Sequence, residues 1–444
     1  MINKIWLAAV AVGALTIGAR PLAAGTQEDS VSFVRWATAH AMSIQTVEPG
    51  SSIADLSDLR PLKPVIGAAR VVALGEPAHG AHEPLAFRNR LFRYLVEELG
   101  FTAIALESGL PESRALFDFV AGGPGTAEQV ARENLSFGFG TFQENAELVQ
   151  WIREYNADAS HPRKVRIYGI DLSLVGWMVP TPIALEKALT YLTRVDAVPG
   201  QRLRAVLQPY MERLSTEVPA FSPAERDALS AAIDDLIGQL ERERMAYIAA
   251  TSKDDYEWAC CNAVVARQAD RAFRVLPPQP PGGGVPPSGW QWSDARDAAM
   301  AENVHWVLAQ EGPTGRVLVF AHNGHVKSAP AEKQDFERTT NSMGQYLRSI
   351  LGDDLITIGS SAARNGPGFR AFSLGPDSVD AALVRTGLPQ FLLDLRASRD
   401  DRDVAAWLAK RRVFAGYLLS PGSAFDMLLF IDTLNPAHAA PPAP

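Results

Sequence analysis

Apolar, β-branched runs recur along this chain, and those that end on chemistry-bearing residues constrain its fold most. Val71-Val72-Ala73-Leu74-Gly75-Glu76-Pro77-Ala78-His79-Gly80-Ala81-His82 finishes in a His-x-x-His pair, and so does Val317-Leu318-Val319-Phe320-Ala321-His322-Asn323-Gly324-His325. Four of the chain's eight histidines lie in these two places. A third run, Thr102-Ala103-Ile104-Ala105-Leu106, ends on Glu107. When β-rich segments far apart in sequence all finish on His or Glu, the simplest geometry gathers their ends at one sheet edge. That edge is where open α/β folds hold their chemistry.

The same pattern sets the fold class. Strands are predicted at 71–74, 102–106, 165–169, 317–320 and 355–358, with later ones at 391–395, 413–419 and 427–431. Residues 83–99 carry helical periodicity between the first two. Strands spaced by helix-length segments give βαβ units, hence an α/β fold with a largely parallel central sheet flanked by helices. From 182 to 276 the strand signal fades and helical patterning takes over, as at 203–214, 223–244 and 256–273. This reads as an inserted helical subdomain between two portions, 25–181 and 290–435, of one α/β core. Residues 277–289 are Pro- and Gly-rich and can form neither helix nor interior strand. The Ala/Pro-rich tail, 436–444, is expected to be disordered.

The N-terminus reads as a secretory signal over residues 1–24. Lys4 supplies the positive region, 5–18 an apolar stretch too short to span a bilayer comfortably, and Pro21-Leu22-Ala23-Ala24-Gly25 small residues for cleavage. No other segment is long and apolar enough to span, so a soluble periplasmic or secreted protein is expected. The formal charge is −8 with no block of like sign, which gives no nucleic-acid footprint. The two cysteines, Cys260-Cys261, are adjacent on a helical segment and point apart, so buried thiols are expected, not a bridge.

The chemistry is narrowed by what is missing. There is no Gly-x-Ser-x-Gly elbow, phosphate loop, Gly-x-Gly-x-x-Gly fingerprint or His-Glu-x-x-His. An acid/histidine system remains. Glu76 and His79 stand three apart on a turn, close enough for the carboxylate to fix the imidazole tautomer and raise its basicity. On the next helix Arg88 shares a stripe with Leu85, Phe92, Leu95 and Leu99, and an Arg on an apolar face must snorkel or find a carboxylate. Glu76 or Glu107 are the natural partners. Arg296 repeats the pattern, in one stripe with Met300, Val304 and Val307. Asp171, at the end of its strand, fits a cap better than a site. His82, one position past the turn, is expected either to face solvent or to support the site, and His325 and Asn323 to support it. His40, His161, His305 and His438 have no such context.

At this point the residues resemble the erythromycin esterase family. The resemblance rests on Gly75-Glu76-Pro77-Ala78-His79-Gly80-Ala81-His82-Glu83, Arg88, Gly100-Phe101 and Glu107. It continues through Arg296-Asp297-x-x-Met300-Ala301-Glu302-Asn303 and Ala321-His322-Asn323-Gly324-His325-Val326 to Met343-Gly344 and Leu351-Gly352-Asp353. Pro77 and Ala78 depart from that family's usual residues and bear on the pocket. The resemblance implies metal-independent hydrolysis of an ester or lactone, with His79 activating water and Glu76, Glu107, Arg88, Arg296 and His322 completing the site. The family includes macrolide-inactivating enzymes, and some members are associated with exopolysaccharide synthesis.

Three functional readings follow. In the first, neutral His79 is the general base, no covalent intermediate forms, no cofactor is needed, and Arg88, Arg296 or protonated His322 stabilises the oxyanion. In the second, the same histidines and carboxylates bind Zn²⁺ or a similar ion; two inward Arg residues would compete for those carboxylates and repel the cation. In the third, the chain is a non-catalytic carbohydrate- or lipid-binding protein, for which a paired base has no use.

Overall fold

The computed structural model describes residues 30–50, 53–175, 179–214, 221–275, 290–333, 339–370 and 374–441. The proposed signal segment (1–24) and the Pro/Gly loop (277–289) lie outside the described residues.

Eight strands build the central sheet: β1 (Met42–Ser43), β2 (Val71–Glu76), β3 (Ala103–Gly109), β4 (Arg166–Asp171), β5 (Val317–His322), β6 (Leu355–Asn365), β7 (Gln390–Asp394) and β8 (Met427–Leu434). Their order is β1-β7-β8-β6-β2-β5-β3-β4. Every pairing from β8 through β4 is parallel, and only β7 is reversed, pairing antiparallel with β8 on one side and β1 on the other. The architecture is the α/β one that the apolar runs predict.

Parallel strands are covered on both faces, so both side-chain sets must be apolar. Along β5, Val317, Val319 and Ala321 enter one core, and Leu318 and Phe320 enter the other. The first core also holds Val71, Ala73, Ala103 and Ala105, and it continues into Leu185, Leu236, Val265, Met300 and Val304 of the helices above. Those helices include Ile183–Val195, Ala197–Leu214, Pro223–Arg242, Lys253–Arg274 and Trp290–Glu311. The second core packs Val72, Leu74, Ile104 and Leu106 against Leu85, Phe92 and Leu95 of helix His82–Leu99 and Val149 of helix Gln143–Ala157.

Two expectations are corrected. Residues 413–419 are not a strand of the main sheet. They form a hairpin, Arg412–Phe414 with Tyr417–Leu419, that belongs to a separate four-stranded sheet. The chain turns at Ala415 and Gly416, both with positive φ, which breaks the apolar run. The tail is not disordered from Pro436. It crosses back over the sheet edge, with bridges from Ala81 to Pro436 and from Phe142 to Ala439. The Ala437 N–H donates to Gly80 O at 2.8 Å and the Ala440 N–H to Thr141 O at 2.8 Å. Main-chain pairing orders this segment, so its low-complexity side chains carry no sign of it.

Candidate active site

Register in the parallel sheet assembles the site. Val71 pairs with Val317, and five steps on Glu76 lies beside His322. On the other side of β5, Leu106 pairs with Phe320, so the next residue, Glu107, comes level with the end of β5. The β3–β4 register shifts between Leu106 and Gly109, which then lies opposite Asp171. Four adjacent strand ends thus present Glu76, His322, Glu107 and Asp171 in that order across the carboxyl edge of the sheet. Two glycines permit the close fit. A side chain at Gly75 would collide with Asn323, and one at Gly324 with the Tyr417 hydroxyl.

Arg296, on helix Trp290–Glu311, reaches down into this edge. Its Nε donates to both Asp171 oxygens at 3.0 and 3.1 Å, and its Nη2 to Asp171 and, at 3.0 Å, to Glu107 Oε1. All three side chains are buried. Asp171 is therefore more than a cap, although its Oδ1 does accept the Leu172 N–H. His325 lies between two carboxylates, with Nδ1 2.8 Å from Asp297 Oδ1 and Nε2 3.2 Å from Glu107 Oε1. Arg296 Nη1 stands 3.3 Å from that same Nε2, an approach of two cations that is tolerable only among three carboxylates. Burial lowers the His325 pKa, but Asp297 and Glu107 outweigh it and bring it up to about 10. Conversely, burial raises the Glu107 pKa, and His325, His79 and Arg296 overcome this and hold it well below the usual carboxylate range. Glu107 is a fixed anion whose Oε2 also accepts the His322 N–H at 2.8 Å.

His79 and His322 face one another at the surface of this charged layer, with ring centroids 5.1 Å apart. His79 Nδ1 is 2.6 Å from Glu76 Oε1, which assigns the Nδ1–H tautomer and leaves Nε2 as the basic nitrogen. Burial lowers the His79 pKa, yet the field of Glu107 and the Glu76 hydrogen bond raise it above its ordinary value. Phe139 packs against the ring with centroids 5.2 Å apart. His322 caps the short helix Asn323–Val326 by accepting the Gly324 N–H on Nδ1 at 3.1 Å, and the Tyr417 hydroxyl lies 3.3 Å from the same nitrogen. In neutral His322 the proton is therefore on Nε2.

Other expected site residues are placed differently. Arg88 is buried but bonds neither Glu76 nor Glu107. Its Nε and Nη2 donate to Asn89 Oδ1 at 3.0 and 2.7 Å, and its guanidinium lies 4.8 Å from the Phe320 ring centroid. Burial lowers its pKa to about 10 against the opposing fields of Glu76 and Glu144. Arg88, Glu76 and Glu107 line one cavity with Phe139, Phe142 and Phe320, and the buried Glu76 Oε2 has no hydrogen-bond partner among the described residues. Asn323 is spent on scaffolding: its amide donates to Ser360 O at 2.7 Å and accepts the Ser360 N–H at 2.9 Å. His82 does not face open solvent. It is mostly buried between Glu144, 2.7 Å from Nδ1, and Glu48, 2.9 Å from Nε2.

Two contributors escape sequence reasoning. Asp297 carries no sequence signal beyond its place next to Arg296, yet its Oδ1 holds His325 and also accepts the Met343 N–H at 2.8 Å. Tyr417 enters from the separate small sheet, and no local pattern points to it.

The chain is similar to known proteins over most of its length. The sequence model of a family described as Erythromycin esterase matches residues 96–434. Erythromycin esterase type II of Escherichia coli is 27% identical over 307 residues, 68% of this chain and 71% of that protein. Erythromycin esterase type I of the same organism is 25% identical over 313 residues, covering 66% and 70%. A Bacillus cereus protein of known crystal structure superposes with a TM-score of 0.77 at 26% identity, over 93% of this chain and 99% of that one. With the family model spanning most of its length, this chain belongs to the erythromycin esterase family.

Proposed function

We propose that the protein hydrolyses a carboxylic ester or lactone by direct attack of water, with neutral His79 as general base and no covalent intermediate or cofactor. The observation that carries this is the Glu76–His79 pair at 2.6 Å, set against His322 on a sheet edge whose other charges are already neutralised by one another. His79 Nε2 takes a proton from water as the oxygen attacks the carbonyl, and returns it to the departing alkoxide. Glu76 keeps Nδ1 protonated and stabilises the imidazolium that forms. A positioned base of this kind contributes about 10²–10⁴-fold.

The oxyanion falls to His322. Arg296 is engaged by Asp171, Glu107 and His325, and Arg88 has two of its three nitrogens on Asn89, so His322 is the better-placed direct donor. With Nδ1 accepting from Gly324, His322 Nε2–H is a pre-oriented donor, worth roughly 3–4 kcal/mol at the transition state. Donor chemistry also favours this reading over a metal at the same place. Glu107 Oε1 is occupied by Arg296 and His325, Glu107 Oε2 by the His322 N–H, and Asp171 by Arg296, so few lone pairs remain for a cation.

The substrate is a small molecule with a sizeable apolar part. An apolar pocket opens between helices Ile183–Val195, Pro223–Arg242 and Lys253–Arg274, walled by Leu185, Phe221, Leu229, Val265 and Phe273. Its lining reaches Ser173, two residues beyond Asp171. A macrolide lactone, the substrate named for the relatives, fits such a wall, as does a long acyl ester. Export by the N-terminal signal fits a chain in which no helix among the described residues is long and apolar enough to cross a membrane. Purified protein assayed on macrolide lactones and simple acyl esters should turn over at least one of them, and His79→Ala should lower that turnover by about 10²–10⁴-fold. Turnover of none would favour a binding protein, and a His79→Ala variant of undiminished activity would remove the base assignment.

A further inference from the structure

A second histidine–carboxylate cluster lies outside the acid–base centre. His82, at the start of helix His82–Leu99, Glu144, at the start of helix Gln143–Ala157, and His438, on the returning tail, bring one ligand atom each to within 4.8 Å of one another. His82 Nδ1 is 2.7 Å and His438 Nδ1 3.1 Å from Glu144 Oε1, and the two rings lie 4.4 Å apart. We propose that this cluster is a divalent-metal site, best suited to Zn²⁺, with His82 Nδ1, His438 Nδ1 and the Glu144 carboxylate as ligands.

Three observations carry the assignment beyond proximity. First, Glu48 Oε1 lies 2.9 Å from His82 Nε2. Without a metal both ring nitrogens of His82 donate to carboxylates, and these hold its pKa up to about 9. A metal ion would displace the Nδ1 proton, and Glu48, still accepting the far N–H, would then strengthen Nδ1 as a ligand, the usual outer-shell arrangement of zinc histidines. Second, Glu144 is 1% exposed, and its Oε2 has no hydrogen-bond partner among the described residues. Hydrogen bonding accounts for Oε1 alone, which takes both imidazoles and the His438 N–H at 3.0 Å. A buried carboxylate oxygen with nothing to accept from calls for a ligand. Third, two imidazoles and one carboxylate are a set that Zn²⁺ takes with a fourth position left for water, and the partly exposed His438 side chain leaves that side accessible. The buried cation Arg88 is engaged by Asn89 and does not bond Glu144.

The cluster ties together three segments that frame the active site. The tail residue beside His438 in the chain, Ala437, bonds Gly80 O, and Gly80 directly follows His79. Metal at this position would staple the tail over the loop that carries the base, so its role is positioning.

The test is calorimetric titration of Zn²⁺ into chelator-stripped full-length protein, with thermal unfolding alongside. One equivalent should bind and raise Tm. His438→Ala, a change at an exposed residue that leaves the core intact, should remove that binding. Glu48→Gln should weaken it by about 10–100-fold, while His79→Ala keeps it. Absence of stoichiometric binding overturns the proposal. So does binding that survives His438→Ala but is lost in His79→Ala, an outcome that would instead place the metal in the acid–base centre and count against the metal-free hydrolytic reading.

Discussion

The two His-x-x-His pairs have the same spacing and opposite fates. In the first, His79 lies in the loop after β2 and His82 opens an 18-residue helix, so the two rings diverge: one joins Glu76 at the cleft, the other joins Glu144 and Glu48. In the second, His322 is the cap of a four-residue helix and His325 its last turn. That tight turn keeps both residues on one charge network, His322 through its main-chain N–H on Glu107 and His325 through its ring. The first pair is thus divided between two sites, and the second is divided between reactivity and scaffold within one. Spacing alone does not assign a role; the length of the helix that follows does.

Several substitutions would break or sharpen that contrast. The largest effect is expected for His79→Ala, a loss of about 10²–10⁴ in kcat with unfolding midpoint retained; steady-state kinetics with thermal unfolding on the same sample checks it. Next comes Arg296→Leu, which strands Glu107 and Asp171 as buried anions and should cost about 3–5 kcal/mol in denaturant unfolding. If the second pair is scaffolded as described, this variant loses stability before it loses chemistry. His322→Ala should lower kcat by roughly 10²–10³ while KM changes little, because the donor acts on the transition state. A comparable rise in KM would show that His322 binds substrate instead.

Smaller effects are expected in pH profiles. His79 must be neutral to act, and its pKa lies above 6.5, so kcat/KM should rise with pH along a limb above that value. Glu76→Gln removes a partner of the imidazolium and should move the limb to lower pH; an unmoved limb would break the Glu76–His79 coupling. His325 should leave its mark on stability. Its folded pKa is raised to about 10 against 6.5 unfolded, so its contribution is complete below pH 6.5 and is lost as pH rises through about 10. Unfolding free energies measured across that range should decline in the wild type and flatten in His325→Gln.

The parts of the site legible in the sequence are those encoded by strand periodicity. Val71 to Glu76, Ala103 to Glu107 and Val317 to His322 are apolar runs with a polar stop, and a parallel register turns such stops into neighbours. Arg296 was legible because a charge on an apolar stripe needs a buried anion, and Asp171 and Glu107 supply it. The same reasoning misplaced Arg88, because an adjacent Asn89 can satisfy a guanidinium and adjacency leaves no periodic trace. His438 was illegible for a different reason. Its segment is ordered by main-chain bridges to Ala81 and Phe142, which composition does not record.

The strand order also governs how the chain reaches this state. β2 and β3 are consecutive in sequence, yet β5, encoded far downstream, lies between them. During synthesis those two early strands have no final partner on their facing edges until β5 arrives, and exposed parallel edges of this kind fold slowly and invite aggregation. The strand that closes the gap is the one ending on His322. Closure of the gap between β2 and β3 and completion of the His79–His322 pair are therefore a single event, and a chain that has not yet placed β5 has no partly active form.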